Sequence, residues 1–157
     1  MPKIRVSILS VFAIATSLFS FTNLKAEALP QNAPTIIAQS SEDIFASKGF
    51  TTPSKNIFCV IYGDRLRCEI VSRLSPMPPQ PDSCNLDWGN GLVLRKVGKA
   101  KVLCAGDTAY SPNYKTLAYG ETWSKSGFIC KSRTDGLTCT NPKGNGFFLN
   151  RKEWKTF

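Results

Sequence analysis

Phe58-Cys59-Val60-Ile61-Tyr62-Gly63-Asp64-Arg65-Leu66-Arg67-Cys68 is the stretch that decides the fold of this chain. Gly63-Asp64 suits a two-residue hairpin loop, because glycine tolerates positive φ. A turn centred there pairs Tyr62 with Arg65, Ile61 with Leu66, Val60 with Arg67 and Cys59 with Cys68. Counting outward, Cys59 and Cys68 form a non-hydrogen-bonded pair, in which the Cα atoms approach to about 4.5 Å, within reach of a disulfide. A second copy of the pattern lies 71 positions further on, with Cys130 and Cys139 again nine apart. Its lead-in, Ser124-Lys125-Ser126-Gly127-Phe128-Ile129-Cys130, echoes Ser54-Lys55-Asn56-Ile57-Phe58-Cys59 with one residue inserted. The turn chemistry of the second copy is Asp135-Gly136. A three-residue loop, Thr134-Asp135-Gly136, with a glycine bulge fits it and sets Cys139 slightly out of register with Cys130.

Ahead of the first hairpin, Lys3 and Arg5 precede an apolar run from Val6 to Phe21, followed by Ala26-Glu27-Ala28. A basic start, a short apolar core and an Ala-x-Ala site predict a signal peptide over residues 1–28. The run falls short of the roughly 20 apolar residues that a spanning helix needs, so no integral membrane segment is expected after cleavage. Residues 29–47 read as a flexible lead, with a short helix starting at Ser41-Glu42-Asp43. Residues 48–157 read as one domain, long enough to bury its own core. Six cysteines in an exported chain point to three disulfides: Cys59–Cys68, Cys130–Cys139 and, by elimination, Cys84–Cys104. Each adds ~3 kcal/mol in the chain-entropy model.

Short apolar segments separated by Gly, Pro, Asn and Asp predict an all-β domain of antiparallel hairpins stapled by disulfides. A hairpin of Leu92–Lys96 and Lys99–Cys104 around Val97-Gly98 would place Lys96 beside Lys99, Leu94 beside Lys101 and Leu92 opposite Leu103. Ser75-Pro76-Met77-Pro78-Pro79-Gln80-Pro81 reads as a stiff crossover between strands. The end, Arg151 to Phe157, reads as a helical turn capped by Asn150, with Glu153 three residues on.

The chain resembles a group of small secreted bacterial proteins that carry a domain of unknown function. The likeness rests on Phe50-x-x-Pro53-Ser54-x-Asn56-Ile57-x-Cys59, Cys68-Glu69-Ile70, Cys84, Asp87-Trp88-Gly89, Cys104-x-Gly106-Asp107-Thr108, Leu117-Ala118-Tyr119-Gly120 and the segment from Gly127-Phe128-x-Cys130 to Arg151. Asn145 stands in a turn where that group is expected to carry His. No activity attaches to the group, so the resemblance implies a scaffold and export only.

The chain contains no histidine, which removes Ser-His-Asp and Cys-His catalysis and His-rich metal sites. No two cysteines lie at zinc-site spacing, and paired cysteines offer no thiolate. No metal or cofactor is expected. Glu69, Asp87, Asp107 and Glu121 are the carboxylates near glycines or aromatics. Asp87 and Asp107 are the candidate acid–base pair of a hydrolase acting on a glycan, although both also suit side-chain-capped turns. Trp88 and Trp123 are candidate sugar platforms, or plain core aromatics. The net charge is +9. Arg95, Lys96, Lys99 and Lys101 flank one turn, and Lys143, Arg151, Lys152 and Lys155 cluster near the end. Outside the cytoplasm such charge would meet an anionic cell-surface polymer or glycan rather than nucleic acid, or would simply keep the surface solvated. The expectation is an exported, non-catalytic envelope or extracellular module, periplasmic or secreted to the medium. A carboxylate-dependent hydrolase and a secreted protein-binding factor are the alternatives, the latter with no partner that the residues identify.

Overall fold

The computed structural model describes residues 48–157. The expected signal peptide, flexible lead and short helix lie outside the described residues. Eleven strands make up the domain, with no helix among the described residues. They are β1 (Gly49–Thr51), β2 (Ile57–Tyr62), β3 (Arg65–Ile70), β4 (Trp88–Arg95), β5 (Lys101–Cys104), β6 (Lys115–Thr116), β7 (Thr122–Lys125), β8 (Phe128–Arg133), β9 (Gly136–Thr140), β10 (Gly146–Leu149) and β11 (Trp154–Thr156). The first five run as an antiparallel meander, β5-β4-β3-β2-β1, extended by the parallel β6. The last five form a second meander, β11-β10-β9-β8-β7.

Period-2 alternation explains how the sheets meet. In β2 and β3 the side chains of Ile57, Cys59, Ile61, Leu66, Cys68 and Ile70 share one face and are buried. In the second sheet Phe128, Cys130, Leu137, Cys139, Phe147 and Leu149 do the same. All twelve belong to one apolar cluster, so the two inner faces pack together as a sandwich. Cys59–Cys68 and Cys130–Cys139 join directly opposed residues, each with a Cα–Cα distance of 4.1 Å. The third disulfide, Cys84–Cys104, spans 5.9 Å between Cα atoms and ties the crossover before β4 to the end of β5.

The two meanders are copies of one plan. Leu66 opposes Leu94 as Leu137 opposes Leu149, and Cys68 opposes Leu92 as Cys139 opposes Phe147. Gly91 and Gly146 hold matching places beside Cys68 and Cys139. A Cβ on Gly91 would run into the Cys68 carbonyl oxygen, and one on Gly146 into that of Cys139. Phe50 and Trp123, each opposite the first cysteine of its copy, meet across the interface with ring centroids 5.1 Å apart. Trp123 is therefore a core-packing aromatic.

Four details correct the sequence reading. The β8–β9 loop has two residues, Thr134 and Asp135, and Cys130 faces Cys139 in register. Gly136 begins β9 because the Phe148 ring and the Leu149 carbonyl leave no room for a side chain there. In β4–β5, Leu92 opposes Val102 and Val93 opposes Lys101, one residue away from the expected pairing. The loop of residues 96–100, longer than the expected two-residue turn, accounts for it, and a further register shift follows between Trp88 and Leu92. Finally, Asn150 does accept hydrogen bonds from the amides of Lys152 and Glu153, at 2.8 Å each, but the chain continues as β11 on the edge of β10 instead of a helical turn.

The proline-rich crossover runs from β3 to β4 and is clamped by tryptophans. Trp88 Nε1 donates to the Pro78 carbonyl at 3.0 Å, and Trp154 Nε1 to that of Pro76 at 2.9 Å. Trp88 is half-buried in this role. Because the obstacles at Gly91 and Gly146 are backbone, neither site can relax by moving a side chain. Gly91→Ala and Gly146→Ala should each lose about 1–3 kcal/mol or more in urea unfolding, whereas a change at the exposed Lys131 of β8 should stay within about 0.5 kcal/mol.

Candidate functional site

Three regions carry chemistry-bearing residues. The first lies on the outer face of the first sheet, where the alternation that sends Leu66, Cys68 and Ile70 inward sends Arg67 and Glu69 outward. Both are buried all the same, because the loop after β5 folds over them. Arg67 Nε lies 2.7 Å from Glu69 Oε1, a charge contact whose N–H points off the hydrogen-bond line. Arg67 Nη1 donates to Asp107 Oδ1 at 3.0 Å, and Nη2 to the Asp107 carbonyl. The Glu69 carboxylate accepts from the Thr108 hydroxyl and the Ala109 amide, both at 2.9 Å. Tyr114 then donates its hydroxyl to the Ala109 carbonyl at 2.6 Å. Tyr110 closes the loop edge-on against Phe58, with ring centroids 5.4 Å apart.

A cleft of about 500 Å³ opens beside this network, with Asp87, Asp107 and Glu69 all on its wall. The fold thus brings the two candidate acid–base residues to one place. It also commits them unequally. Glu69 has both oxygens engaged, Asp107 holds Arg67, and Asp87 forms no ion pair or hydrogen bond through its carboxylate among the described residues. Asp107 does not cap a turn around Thr108, because its carboxylate is turned to Arg67 instead. A guanidinium clamped between two carboxylates orders a loop. It does not leave a pair of carboxyl groups free to exchange protons across a substrate. Arg67 and Glu69 alternate visibly in the sequence, but Asp107 stands 40 positions from Arg67, and nothing local signals that contact.

The second region is the tip of the first sheet. Arg65 and Arg95 are directly opposed on neighbouring strands, a repulsive arrangement. Asp64 sits between them, 3.4 Å from Arg65 Nε and 3.5 Å from Arg95 Nη1. Lys96, Lys99 and Lys101 are exposed and form no ion pair among the described residues. The loop of residues 96–100 is held from the other sheet: Asn141 Nδ2 donates to the carbonyls of Arg95 and Gly98, at 2.9 and 3.0 Å. The same Asn141 organises its own turn, its Oδ1 accepting from the amides of Lys143 and Asn145. One buried asparagine therefore sets exposed Lys143 beside the basic loop, a neighbour that sequence separation hid. Asn145 here serves as a backbone partner in this turn.

The third region is a cavity of about 400 Å³ near the β8–β9 tip, bordered by Arg133, Arg151 and Lys152. The Sγ atoms of Cys59, Cys68 and Cys139 lie within 4.8 Å of one another in the core, but each is bound in a disulfide and offers no thiolate. Among the described residues no helix is long and apolar enough to cross a membrane.

Burial, then the nearby Glu69 charge, pushes the Tyr114 hydroxyl up to about 12 from 10, partly offset by Arg67. A raised folded-state value stabilises fully below about pH 10 and loses its effect as pH rises towards 12. Unfolding midpoints should therefore fall between about pH 10 and 12, with Tyr114 ionising late in a tyrosinate absorbance titration. Tyr114→Phe should flatten that fall, while costing about 1–3 kcal/mol at neutral pH for the orphaned Ala109 carbonyl. Separately, Glu69→Ala should cost about 3–5 kcal/mol by leaving buried Arg67 with only the solvent-exposed Asp107 as charge partner, read as a lowered denaturant midpoint.

The family described as "Family of unknown function (DUF6636)" matches residues 33–157 of the chain. No curated protein and no solved structure matches it.

Proposed function

The chain belongs to this family of unknown function, and from its own geometry we propose that it is an exported, non-catalytic module that contacts anionic polymers of a bacterial envelope or its surroundings. The observation that carries the reading is the pinned cationic tip. Asp64 pairs with Arg65 and Arg95, whereas Lys96, Lys99 and Lys101 form no ion pair among the described residues, and Asn141 fixes the loop beside them. Charges held in place lose less freedom on binding than charges on a loose loop. Their summed field draws in polyanions and weakens with salt.

Export is supported by the three disulfides, which persist in oxidising compartments. The hydrolase alternative keeps one argument, the shared cleft of Asp87 and Asp107. Against it stands the engagement of Asp107 and Glu69 by Arg67. The binding reading leaves no such conflict, because Arg95, Lys96, Lys99 and Lys101 are exposed.

Replacing Arg95, Lys96, Lys99 and Lys101 with Gln should weaken retention on an immobilised anionic glycan, with a smaller salt dependence than the parent. The melting temperature should stay nearly unchanged, since these are surface positions. Equal retention of parent and variant at low salt would overturn the assignment of this tip. Loss of glycan cleavage in Asp87→Asn, if cleavage is found at all, would move the function to the cleft.

A further inference from the structure

The duplication of the meander implies that the basic tip has a counterpart. The β2–β3 loop corresponds to the β8–β9 loop, so Asp64 maps to Asp135. The segment after β4 corresponds to the segment after β10, so Lys96 maps to Arg151 when Gly91 is set on Gly146. The two tips lie at opposite ends of the sandwich. The first is joined to the β9–β10 turn through Asn141. The second borders the base of the first hairpin, since Asn56 and Ile57 share a cavity with the 133–137 and 150–152 segments.

Chemistry at the second end is more enclosed. Its cavity of about 400 Å³ falls within the ~300–1,000 Å³ of small-ligand pockets. Arg133, Arg151 and Lys152 line it, and none of them forms an ion pair among the described residues. Asn150 Nδ2 donates to the Asp135 carbonyl at 2.8 Å, fixing the two cationic segments relative to each other. Thr52 and Ser54 form the facing wall, and their hydroxyls are already bonded within the β1–β2 loop, so this wall is rigid. Tyr119, 46% exposed, adds an aromatic face to the rim.

We propose that this cavity is a second anion-binding site, which takes a short acidic saccharide segment, and that the chain is therefore bivalent, with one polyanion contact at each end. Two arginines match a carboxylate or phosphate with forked, charge-assisted hydrogen bonds. Tyr119 offers an apolar face to the C–H side of a sugar ring. The lone Asp135 on the wall disfavours ligands without compensating hydroxyls. This extends the function proposed above and rests on it only for bivalency, because the cavity can be tested alone.

The test uses a trimer of galacturonic acid and, separately, a phosphodiester-linked sugar phosphate oligomer, each titrated into the protein by calorimetry. At least one probe should bind the parent, and the double variant Arg133→Gln/Arg151→Gln should bind it about tenfold more weakly or worse. Which probe binds decides between carboxylate and phosphate. The variant altered at Arg95, Lys96, Lys99 and Lys101 should bind the short probe as the parent does, which separates this site from the open tip. Turbidity with the corresponding long polymer should rise with the parent and stay low with either variant, as expected when one chain bridges two strands. Tyr119→Ala should weaken the saccharide probe and leave the melting temperature in place. Failure of both probes to bind the parent, or equal binding by the Arg133/Arg151 variant, overturns the cavity as a site. Turbidity that survives in both variants overturns bivalency.

Discussion

The contact between two disulfides in the middle of the sandwich is the constraint on which the rest depends. Each bridges a directly opposed pair on adjacent antiparallel strands, and the Sγ atoms of Cys59, Cys68 and Cys139 gather within 4.8 Å. A disulfide between opposed residues forbids register slip, and slip by one residue would turn every inward side chain outward. With both hairpins locked, Leu66, Leu94, Leu137, Leu149, Phe128 and Phe147 have only one face on which to be buried. The cross-links contribute about 2–4 kcal/mol each by restricting the unfolded chain. For a domain this small, their larger effect is to make the choice of inner face irreversible.

Duplication then distributes features to both ends. Two copies of a meander face each other through Phe50 and Trp123, and each copy's tip meets the other copy's base. Asn141 joins the first tip to the second copy through the carbonyls of Arg95 and Gly98, whereas Asn150 braces the second tip from within its own copy through the carbonyl of Asp135. The copies diverge where one loop is long. The first carries the proline-rich crossover between its third and fourth strands, tied by Cys84–Cys104 to the end of its fifth, where the second has a short turn at Asn141.

The buried Arg67–Glu69 pair is the costly part of the design. Taking both charges from water is unfavourable unless their remaining hydrogen-bonding capacity is met. Thr108, Ala109 and Asp107 meet most of it. The pair therefore serves to hold the loop after β5 in one place, with Tyr114 and Tyr110 sealing it against Val60 and Phe58. Its carboxylates are spent on that task, which is why the adjacent cleft reads as a by-product of loop anchoring.

By itself the sequence determined the all-β class, the register of the first hairpin and the recurrence of the pattern 71 residues later. These are local properties, set by period-2 alternation, a glycine turn and cysteine spacing. Only the tertiary structure decided which signals were turns and which were packing. Gly136 looked like a turn residue, yet it is a strand residue because Phe148 lies over it. Asn150 and Glu153 matched a helix cap, yet the edge of β10 captured the following residues as a strand. The β4–β5 pairing moved by one because residues 96–100 form a longer loop, which Asn141 holds from the other sheet. Basic residues at 95, 96, 99 and 101 could be read as a group. Their meeting with Lys143 required the two sheets to be placed face to face, whereas Arg133, Arg151 and Lys152 gather because β8 and β10 flank β9, and only the opposite wall of their cavity comes from the first sheet. A chain pattern records what neighbours along the backbone prefer, whereas a site between copies depends on contacts that no local preference encodes.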